Sequence, residues 1–166
     1  MCTLVKLFTR NLKMLNHRIS NLQMGDKLKF AEKWVTSHIE DASQVLGKPV
    51  LFTEFGVSNQ VKNFEFKNRI DMIKMISEKI YESAKANGAG AGALIWQFVV
   101  EDLNRFQDEF AVIPWQEPLL YDAIIEQSCR LYNVTGNYNP KHSACLKYIT
   151  LLGGSVLKRI LWILVY

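Results

Sequence analysis

Two short apolar runs constrain the fold of this chain more than any other feature of its sequence. The first is Val50–Phe55 and the second covers residues 93–100, and in neither run do apolar and polar residues alternate regularly. Strands that are covered on both faces, as in a parallel sheet, have this pattern. The two runs therefore predict two buried parallel strands.

Helical patterns separate and flank the two runs. Residues 28–46 predict a helix that ends at Gly47, because glycine readily adopts the left-handed conformation that terminates a helix, and Pro49 prevents its continuation. A second helix is expected from residue 66 to a turn at residues 87 and 88, and a third from Pro118 to about residue 133. The apolar stripe of the second helix comprises Phe66, Ile70, Ile73, Ile76 or Ser77, Ile80 and Ala84. The alternation of helix and strand predicts an α/β fold built from parallel βα units.

Length and charge exclude several classes of protein. A chain of 166 residues can form one domain with a core, but it is too short for a complete (β/α)₈ barrel, which needs about 250 residues. Residues 1–29 carry six basic side chains and one acidic one, residues 137–166 carry four and none, and residues 30–136 have a net charge of −5. Basic ends can bind nucleic acid, but no aromatic residues interleave with these charges and no nucleic-acid motif is present. We therefore expect no nucleic-acid partner.

Cysteine usage and the chain ends indicate neither a metal site nor a membrane anchor. Cys2, Cys129 and Cys145 are too few and too scattered for a disulfide framework or a zinc site, although one pair could form in an oxidising compartment. No metal and no cofactor are expected. The apolar run at residues 160–166 is far shorter than the roughly 18–20 residues of a membrane span, and basic residues interrupt the N-terminal region where a secretory signal would lie.

Glu54 and Trp96 are the candidate site residues. Glu54 lies near the end of an otherwise apolar strand, where a carboxylate has to be paired, hydrogen-bonded or functional because burying it alone is costly. Active sites of barrels and open α/β sheets form at the carboxyl ends of the strands. Trp96 lies in the later part of the second run, where an indole can pack in the core or stack on a sugar ring. Position alone leaves a structural ion pair at Glu54 and core packing at Trp96 as open alternatives.

Four short motifs lie between residues 28 and 134, and their order and spacing along the chain are informative together. They cover residues 34–42, 48–56, 90–97 and 126–131, and they include Thr53-Glu54-Phe55-Gly56 and the sequence Gln-Ser-Cys-Arg-Leu at residues 127–131. In this order they closely resemble the plant endo-β-1,4-mannanases of glycoside hydrolase family 5. The resemblance implies a C-terminal fragment of a TIM (β/α)₈ barrel, from strand seven to helix eight, with about two βα units plus flanking helices.

The resemblance also implies an activity and a role for each candidate residue. It implies retaining endo-hydrolysis of β-1,4-mannosidic bonds in mannan, galactomannan and glucomannan, with Glu54 as the nucleophile and Trp96 as a substrate-binding sugar platform. A retaining mechanism needs a second carboxylic acid about 5–5.5 Å from the nucleophile. In the family this acid/base is the Glu of an Asn-Glu pair that ends strand four, but no Asn-Glu dipeptide occurs here and only 53 residues precede Glu54. Because Glu101 and Asp102 are better explained as loop charges, we expect the acid/base to be absent and the isolated chain to be inactive.

The resemblance divides the chain into three segments. Residues 1–27 are an unmatched basic segment, residues 28–136 are the C-terminal part of a family 5 catalytic domain, and residues 137–166 are an unmatched basic and apolar tail. Two alternatives remain, a non-catalytic remnant that binds carbohydrate or protein and a fragment of another family 5 β-glucanase. Exposed strand edges predict self-association, and the expected partner is a mannan-type polysaccharide rather than a membrane. The family alone implies secretion to the cell wall.

Overall fold

The fold is an α/β arrangement of alternating strands and helices. A computed structural model describes residues 3–6, 23–99, 105, 107–113 and 116–134. Its elements are β1 (Thr3–Lys6), α1 (Met24–Asp41) with a π-helical turn at Ala42–Leu46, β2 (Val50–Phe55), α2 (Phe66–Lys85), β3 (Gly90–Ile95) and α3 (Pro118–Val134). The predicted α/β class and the predicted alternation of helix, strand, helix, strand and helix are confirmed.

The three strands form one parallel sheet in the order β1-β2-β3. Thr3 pairs with Val50 and Lys6 with Thr53, so β1 runs along the whole first part of β2. The structure thus adds one strand to the two that the sequence predicts. A run of four residues that ends in a lysine is too short to stand out as a strand in a hydropathy pattern.

β2 is the central strand, and both of its faces are covered. Val50 and Phe52 are fully buried on one face of the strand. The next residue, Thr53, points to the opposite face and is buried too. This arrangement confirms the prediction drawn from the run of apolar residues. The core cluster joins Val50, Phe52 and Phe55 to buried side chains of all three helices, including Val35, Ile76, Ile80, Leu120 and Ile124.

β3 differs from its predicted bounds. The sequence predicts a strand over residues 93–100, but the strand begins at Gly90 and ends at Ile95, so Trp96 lies immediately after it. Gly90 pairs with Val50 and Gly92 with Leu51. The predicted strand did not include these glycines, although glycine can adopt an extended conformation as well as a turn. After Ile95, Phe98 forms a separate, isolated parallel bridge with Val112.

α1 ends as predicted at Gly47. This residue has φ 59° and ψ 33°, a left-handed conformation that costs glycine little because it has no Cβ. On the same helix, the Trp34 ring contacts Phe52 of β2 edge-on at 5.8 Å, and the His38 ring stacks on Trp34 at 3.9 Å. The motif at residues 34–42 therefore attaches α1 to the central strand.

The buried face of α2 is rotated from the predicted stripe. Phe66 is 61% exposed, whereas Arg69 is 4% exposed and lies in line with Ile73, Ile76 and Ile80. The prediction that Phe66 belongs to the core stripe was wrong. It failed because a buried arginine occupies the first core position of this helix, and a hydropathy pattern counts arginine as exposed.

Polar contacts hold α3 against α2. The Gln127 side chain donates from Nε2 to the Ser77 carbonyl at 2.6 Å, and both Gln127 and Ser77 are buried. Arg130 donates two parallel hydrogen bonds to the Glu78 carboxylate, at 2.7 and 3.0 Å, and its guanidinium lies 3.9 Å from the centre of the Tyr81 ring. The motif at residues 126–131 thus has a structural function, which is to join the last two helices.

We expect replacement of Glu78 by Gln to lower the free energy of unfolding by roughly 0.2–1 kcal/mol at neutral pH, because the ion pair with Arg130 is partly exposed. The hydrogen bond from Arg130 lowers the pKa of Glu78 below its usual range. A depressed folded-state pKa stabilises the fold above the unfolded pKa, and this stabilisation is lost as the pH falls through the folded pKa. The deficit of the variant should therefore shrink in acid.

Urea unfolding of wild type and Glu78→Gln over a pH series measures this deficit. Glu40→Gln, which removes an exposed carboxylate of α1, is the matched control and should show no comparable deficit. A Glu78→Gln deficit that grows in acid would contradict the assignment.

Candidate active site

Glu54 has an unusual backbone conformation at the end of β2. Its φ is 62°, in the left-handed region that residues other than glycine rarely adopt, at a cost of about 1–3 kcal/mol. The pairing of β2 with β3 is irregular between Phe52 and Phe55, so Glu54 lies in a bulge of the ladder. Bulges next to active sites redirect a side chain from the regular alternation of the strand.

The Glu54 side chain is half-buried. Among the residues with described side chains, none forms a hydrogen bond or an ion pair with its carboxylate. The structural ion pair that the sequence left open therefore has no partner in this part of the chain. A strained, half-buried carboxylate at the carboxyl end of a parallel strand is a candidate for chemistry.

Trp96 lies at the end of the neighbouring strand, beside the end of β2. Its backbone N–H donates to the Phe55 carbonyl at 2.8 Å, so the two strand ends are joined directly after Glu54. Trp96 is 39% exposed, so its ring is not enclosed in the core. The peptide bond between Trp96 and Gln97 is cis.

Gly56 permits this close approach of the strand ends. A Cβ atom at Gly56 would lie 2.4 Å from the Trp96 carbonyl oxygen, closer than real Cβ atoms come to a backbone oxygen. The glycine of the Thr-Glu-Phe-Gly motif is therefore required by packing against the Trp96 backbone. The structure thus brings Glu54 and Trp96 to the carboxyl ends of neighbouring strands.

Asp108 is a site residue that sequence reasoning missed. The Trp96 indole donates from Nε1 to Asp108 Oδ2 at 3.0 Å, while Asp108 Oδ1 accepts from the Phe110 N–H at 2.9 Å. In the sequence Asp108 is one of several acidic residues in a polar loop, and nothing in its spacing connects it with Trp96. The candidate residues Glu101 and Asp102 of the same loop lie outside the described residues.

Arg69 fixes the loops that follow β2 and β3. Its guanidinium donates to the carbonyls of Val57, Glu109 and Ala111 at 3.0, 3.0 and 2.6 Å, and to the Glu117 carboxylate at 2.8 Å. The guanidinium lies over the Phe64 ring, 5.2 Å from the ring centre. One buried side chain of α2 therefore holds the segment after Glu54, the segment around Asp108 and the start of α3. Arg69 lies four residues before Ile73, on the same face of the helix, and this spacing was the signal that could have identified it as a core residue.

Burial dominates the electrostatics of Glu117. Its side chain is 7% exposed and Arg69 is its ion-pair partner. Loss of hydration raises the pKa of Glu117 despite the opposing effect of the Arg69 charge. The pair is therefore costly to bury, and it is tolerated because Arg69 satisfies three backbone carbonyls in addition to the carboxylate.

Neither a metal site nor a membrane-spanning helix is found among the described residues. Within them, no group of three His, Cys, Asp or Glu side chains is placed to hold a metal ion. None of the described helices is long and apolar enough to cross a membrane. His38 donates from Nδ1 to the Trp34 carbonyl of its own helix at 2.8 Å and takes no part in the strand-end site.

Comparison with known proteins identifies the relatives of this chain. Mannan endo-1,4-beta-mannosidase 5 of Arabidopsis thaliana is 46% identical over 121 residues, which cover 73% of this chain and 28% of the relative. Mannan endo-1,4-beta-mannosidase 2 of the same plant is 47% identical over 74% of this chain, and the enzyme of that name from Oryza sativa subsp. japonica is 40% identical over 68%. The chain resembles plant mannan endo-1,4-beta-mannosidases.

These matches confirm the predicted resemblance to plant endo-β-1,4-mannanases. Mannan endo-1,4-beta-mannosidases are glycoside hydrolases, so the predicted enzyme class of the relatives is confirmed as well. The chain spans about a quarter of the length of these mannosidases, 25–28% of each. No protein-family model matches the chain.

We expect replacement of Arg69 by Met to lower the free energy of unfolding by about 3–5 kcal/mol, because it leaves the Glu117 carboxylate buried without its partner. Three backbone carbonyls lose a donor at the same time. Urea unfolding followed by circular dichroism measures the loss.

Two further variants separate the buried charge from a general effect on α2. Arg69→Met combined with Glu117→Leu should recover part of the loss, since no unpaired carboxylate remains in the core. Lys67→Met on the exposed side of α2 should change stability by no more than about 0.5 kcal/mol. Equal losses in the Arg69 and Lys67 variants would refute the role of the buried guanidinium.

Proposed function

We propose that this chain is part of a retaining endo-β-mannanase of glycoside hydrolase family 5, which cleaves β-1,4-mannosidic bonds in mannan, galactomannan and glucomannan. The observation that carries the proposal is the placement of Glu54 and Trp96 at the carboxyl ends of adjacent parallel strands. There a half-buried carboxylate lies on the strand next to one that ends in an exposed indole. The names of the relatives support the substrate class.

In the proposed mechanism, Glu54 is the nucleophile and Trp96 is the sugar platform. The Glu54 carboxylate attacks the anomeric carbon, the bond to the departing sugar oxygen breaks, and a covalent glycosyl-enzyme forms. The partly exposed indole of Trp96 stacks on the apolar face of a sugar ring beside the cleaved bond. A second carboxylic acid protonates the leaving oxygen and later activates water for hydrolysis of the intermediate.

The proposal includes a barrel-fragment fold and an inactive isolated chain. A parallel three-stranded sheet with intervening helices is compatible with part of a (β/α)₈ barrel. No Asn-Glu pair, which in this family carries the acid/base, occurs in the 166 residues. We therefore expect no turnover of mannan by this chain alone, while the Glu54 half of the mechanism is retained.

We further propose a secreted, cell-wall protein. Cys129 is disulfide-bonded, which agrees with the single pair that the sequence permits. Disulfides form and persist in oxidising compartments such as the extracellular space, and they are rare in the cytosol. The disulfide is thus consistent with secretion.

A fluorinated reagent tests Glu54 without needing the missing acid. In 2-deoxy-2-fluoro-β-mannobiosyl fluoride the leaving fluoride departs without protonation, and the fluorine at C2 slows hydrolysis of the glycosyl-enzyme. We expect the Glu54 oxygen to bond to C1 as fluoride leaves, so that the chain gains the mass of one 2-deoxy-2-fluoromannobiosyl group. Peptide mass spectrometry should locate the group on Glu54.

Matched variants make this labelling experiment decisive. Glu54→Gln should take up no label, whereas Glu126→Gln, which changes an exposed glutamate of α3, should be labelled at the wild-type rate. Unlabelled wild-type chain, or label at another carboxylate, would refute Glu54 as nucleophile. Faster labelling by the corresponding glucosyl reagent would favour the β-glucanase alternative. Turnover of mannan by the wild-type chain that Glu54→Gln abolishes would contradict the proposed inactivity.

The second candidate function, a binding fragment that self-associates, is supported by the edge of the sheet. Within the described residues β3 pairs only with β2, so its other side has no strand partner there. An uncovered strand edge can pair with another chain. We expect the weight-average mass in sedimentation equilibrium to rise with concentration, and a constant monomer mass over the whole range would exclude this function.

A further inference from the structure

We propose that Asp108 is the positioning residue of the Trp96 platform, an inference that rests on the proposed function of Trp96. The Asp108 carboxylate uses both oxygens: Oδ2 accepts from the Trp96 indole at 3.0 Å, and Oδ1 accepts from the Phe110 N–H at 2.9 Å. The first bond fixes the indole, and the second fixes the carboxylate within its own loop. Asp108 therefore connects the ring to the backbone of a different segment.

An exposed tryptophan needs such a connection to act as a platform. Trp96 is 39% exposed, so packing covers only part of the ring. A ring that is free to rotate must be immobilised when sugar binds, and each immobilised side chain costs binding free energy. Hydrogen bonds to a carboxylate are stronger than those to a neutral acceptor, and Asp108 thus fixes the ring before the ligand arrives.

The geometry keeps the ring available for stacking. The Nε1–H group that donates this bond lies at the edge of the indole. The two faces of the ring, where a sugar stacks, are not used by this bond. Asp108 therefore restrains the orientation of Trp96 without competing for the surface that would bind carbohydrate.

The loop that carries Asp108 is itself held in place. The Asp108 carbonyl accepts from the Ala111 N–H at 3.1 Å, and the next carbonyl, of Glu109, accepts from the Asn59 N–H at 2.8 Å. Arg69 donates to the carbonyls of Glu109 and Ala111. The orientation of the platform is thus connected through Asp108 to a buried arginine of α2.

Nuclear magnetic resonance of ¹⁵N-labelled indole groups in the full chain tests this role. Trp96→Phe identifies the Trp96 resonance, and Asp108→Ala should shift that resonance upfield and accelerate its exchange with water while the other indole signals stay in place. Asp108→Asn keeps one acceptor oxygen and should be intermediate. Asp122→Ala, which removes an exposed aspartate of α3, should leave the Trp96 signal unchanged.

Titration with mannohexaose then measures the effect on binding. We expect Asp108→Ala to weaken binding roughly three- to tenfold, with partial recovery in Asp108→Asn and wild-type affinity in Asp122→Ala. An unchanged Trp96 signal in Asp108→Ala would refute the positioning of the ring, and an unchanged affinity would refute its importance for binding. If the wild-type Trp96 signal does not respond to mannohexaose, the sugar platform is wrong and the binding role of Asp108 with it, while the signal of the free protein still decides whether Asp108 fixes the ring.

Discussion

The geometry of the candidate site depends on the buried guanidinium of Arg69. Burying a charge is unfavourable unless hydrogen bonds replace its hydration, and here three carbonyls and one carboxylate do so. One acceptor, Val57, lies 12 residues before Arg69 in the segment that follows β2, and the other three lie 40 to 48 residues after it, in the segment that follows β3 and at the start of α3. A lysine could not replace this arrangement, because its single ammonium lacks the planar fork of donors that reaches four acceptors at once.

With these segments fixed, the end of β2 can retain a strained conformation. Glu54 has a left-handed backbone, which persists only where the surroundings determine it strongly. They do so on both sides of the residue. Before it, Phe52 is fully buried; after it, the Phe55 carbonyl accepts from Trp96 and the Val57 carbonyl accepts from Arg69. Gly56 permits the contact between the two strand ends that this arrangement requires.

Local features of the fold could be predicted from the sequence, and contacts between distant segments could not. The bounds of β2 and the left-handed end of α1 at Gly47 follow from hydropathy and from the conformational preference of glycine. The end of β3 does not, because the apolar run continues in the sequence after Ile95, while in the structure Phe98 pairs separately with Val112.

The same limit applies to the candidate site. Glu54 stands out as a charge in an apolar strand, and the motifs indicated Trp96, although its exposure was not predictable. Asp108 is 12 residues from Trp96 and Arg69 is 48 residues from Glu117, so neither pair has a periodic signal. Which charge is buried depends on the arrangement of backbone carbonyls, and a hydropathy pattern does not contain that arrangement.

The position of Asp108 also bears on the acid that the proposed mechanism requires. Because Asp108 is a carboxylic acid at this edge of the sheet, it could be considered as the acid/base. However, it already accepts one hydrogen bond at each oxygen. An acid/base has to hold its proton toward the leaving oxygen and then accept one from water, which requires a carboxyl oxygen that is free to face the substrate. Releasing Asp108 for that task would release the Trp96 ring as well. The hydrogen bond that holds the Trp96 indole therefore competes with the role of acid/base in Asp108, and we expect the acid of the proposed mechanism to come from another side chain.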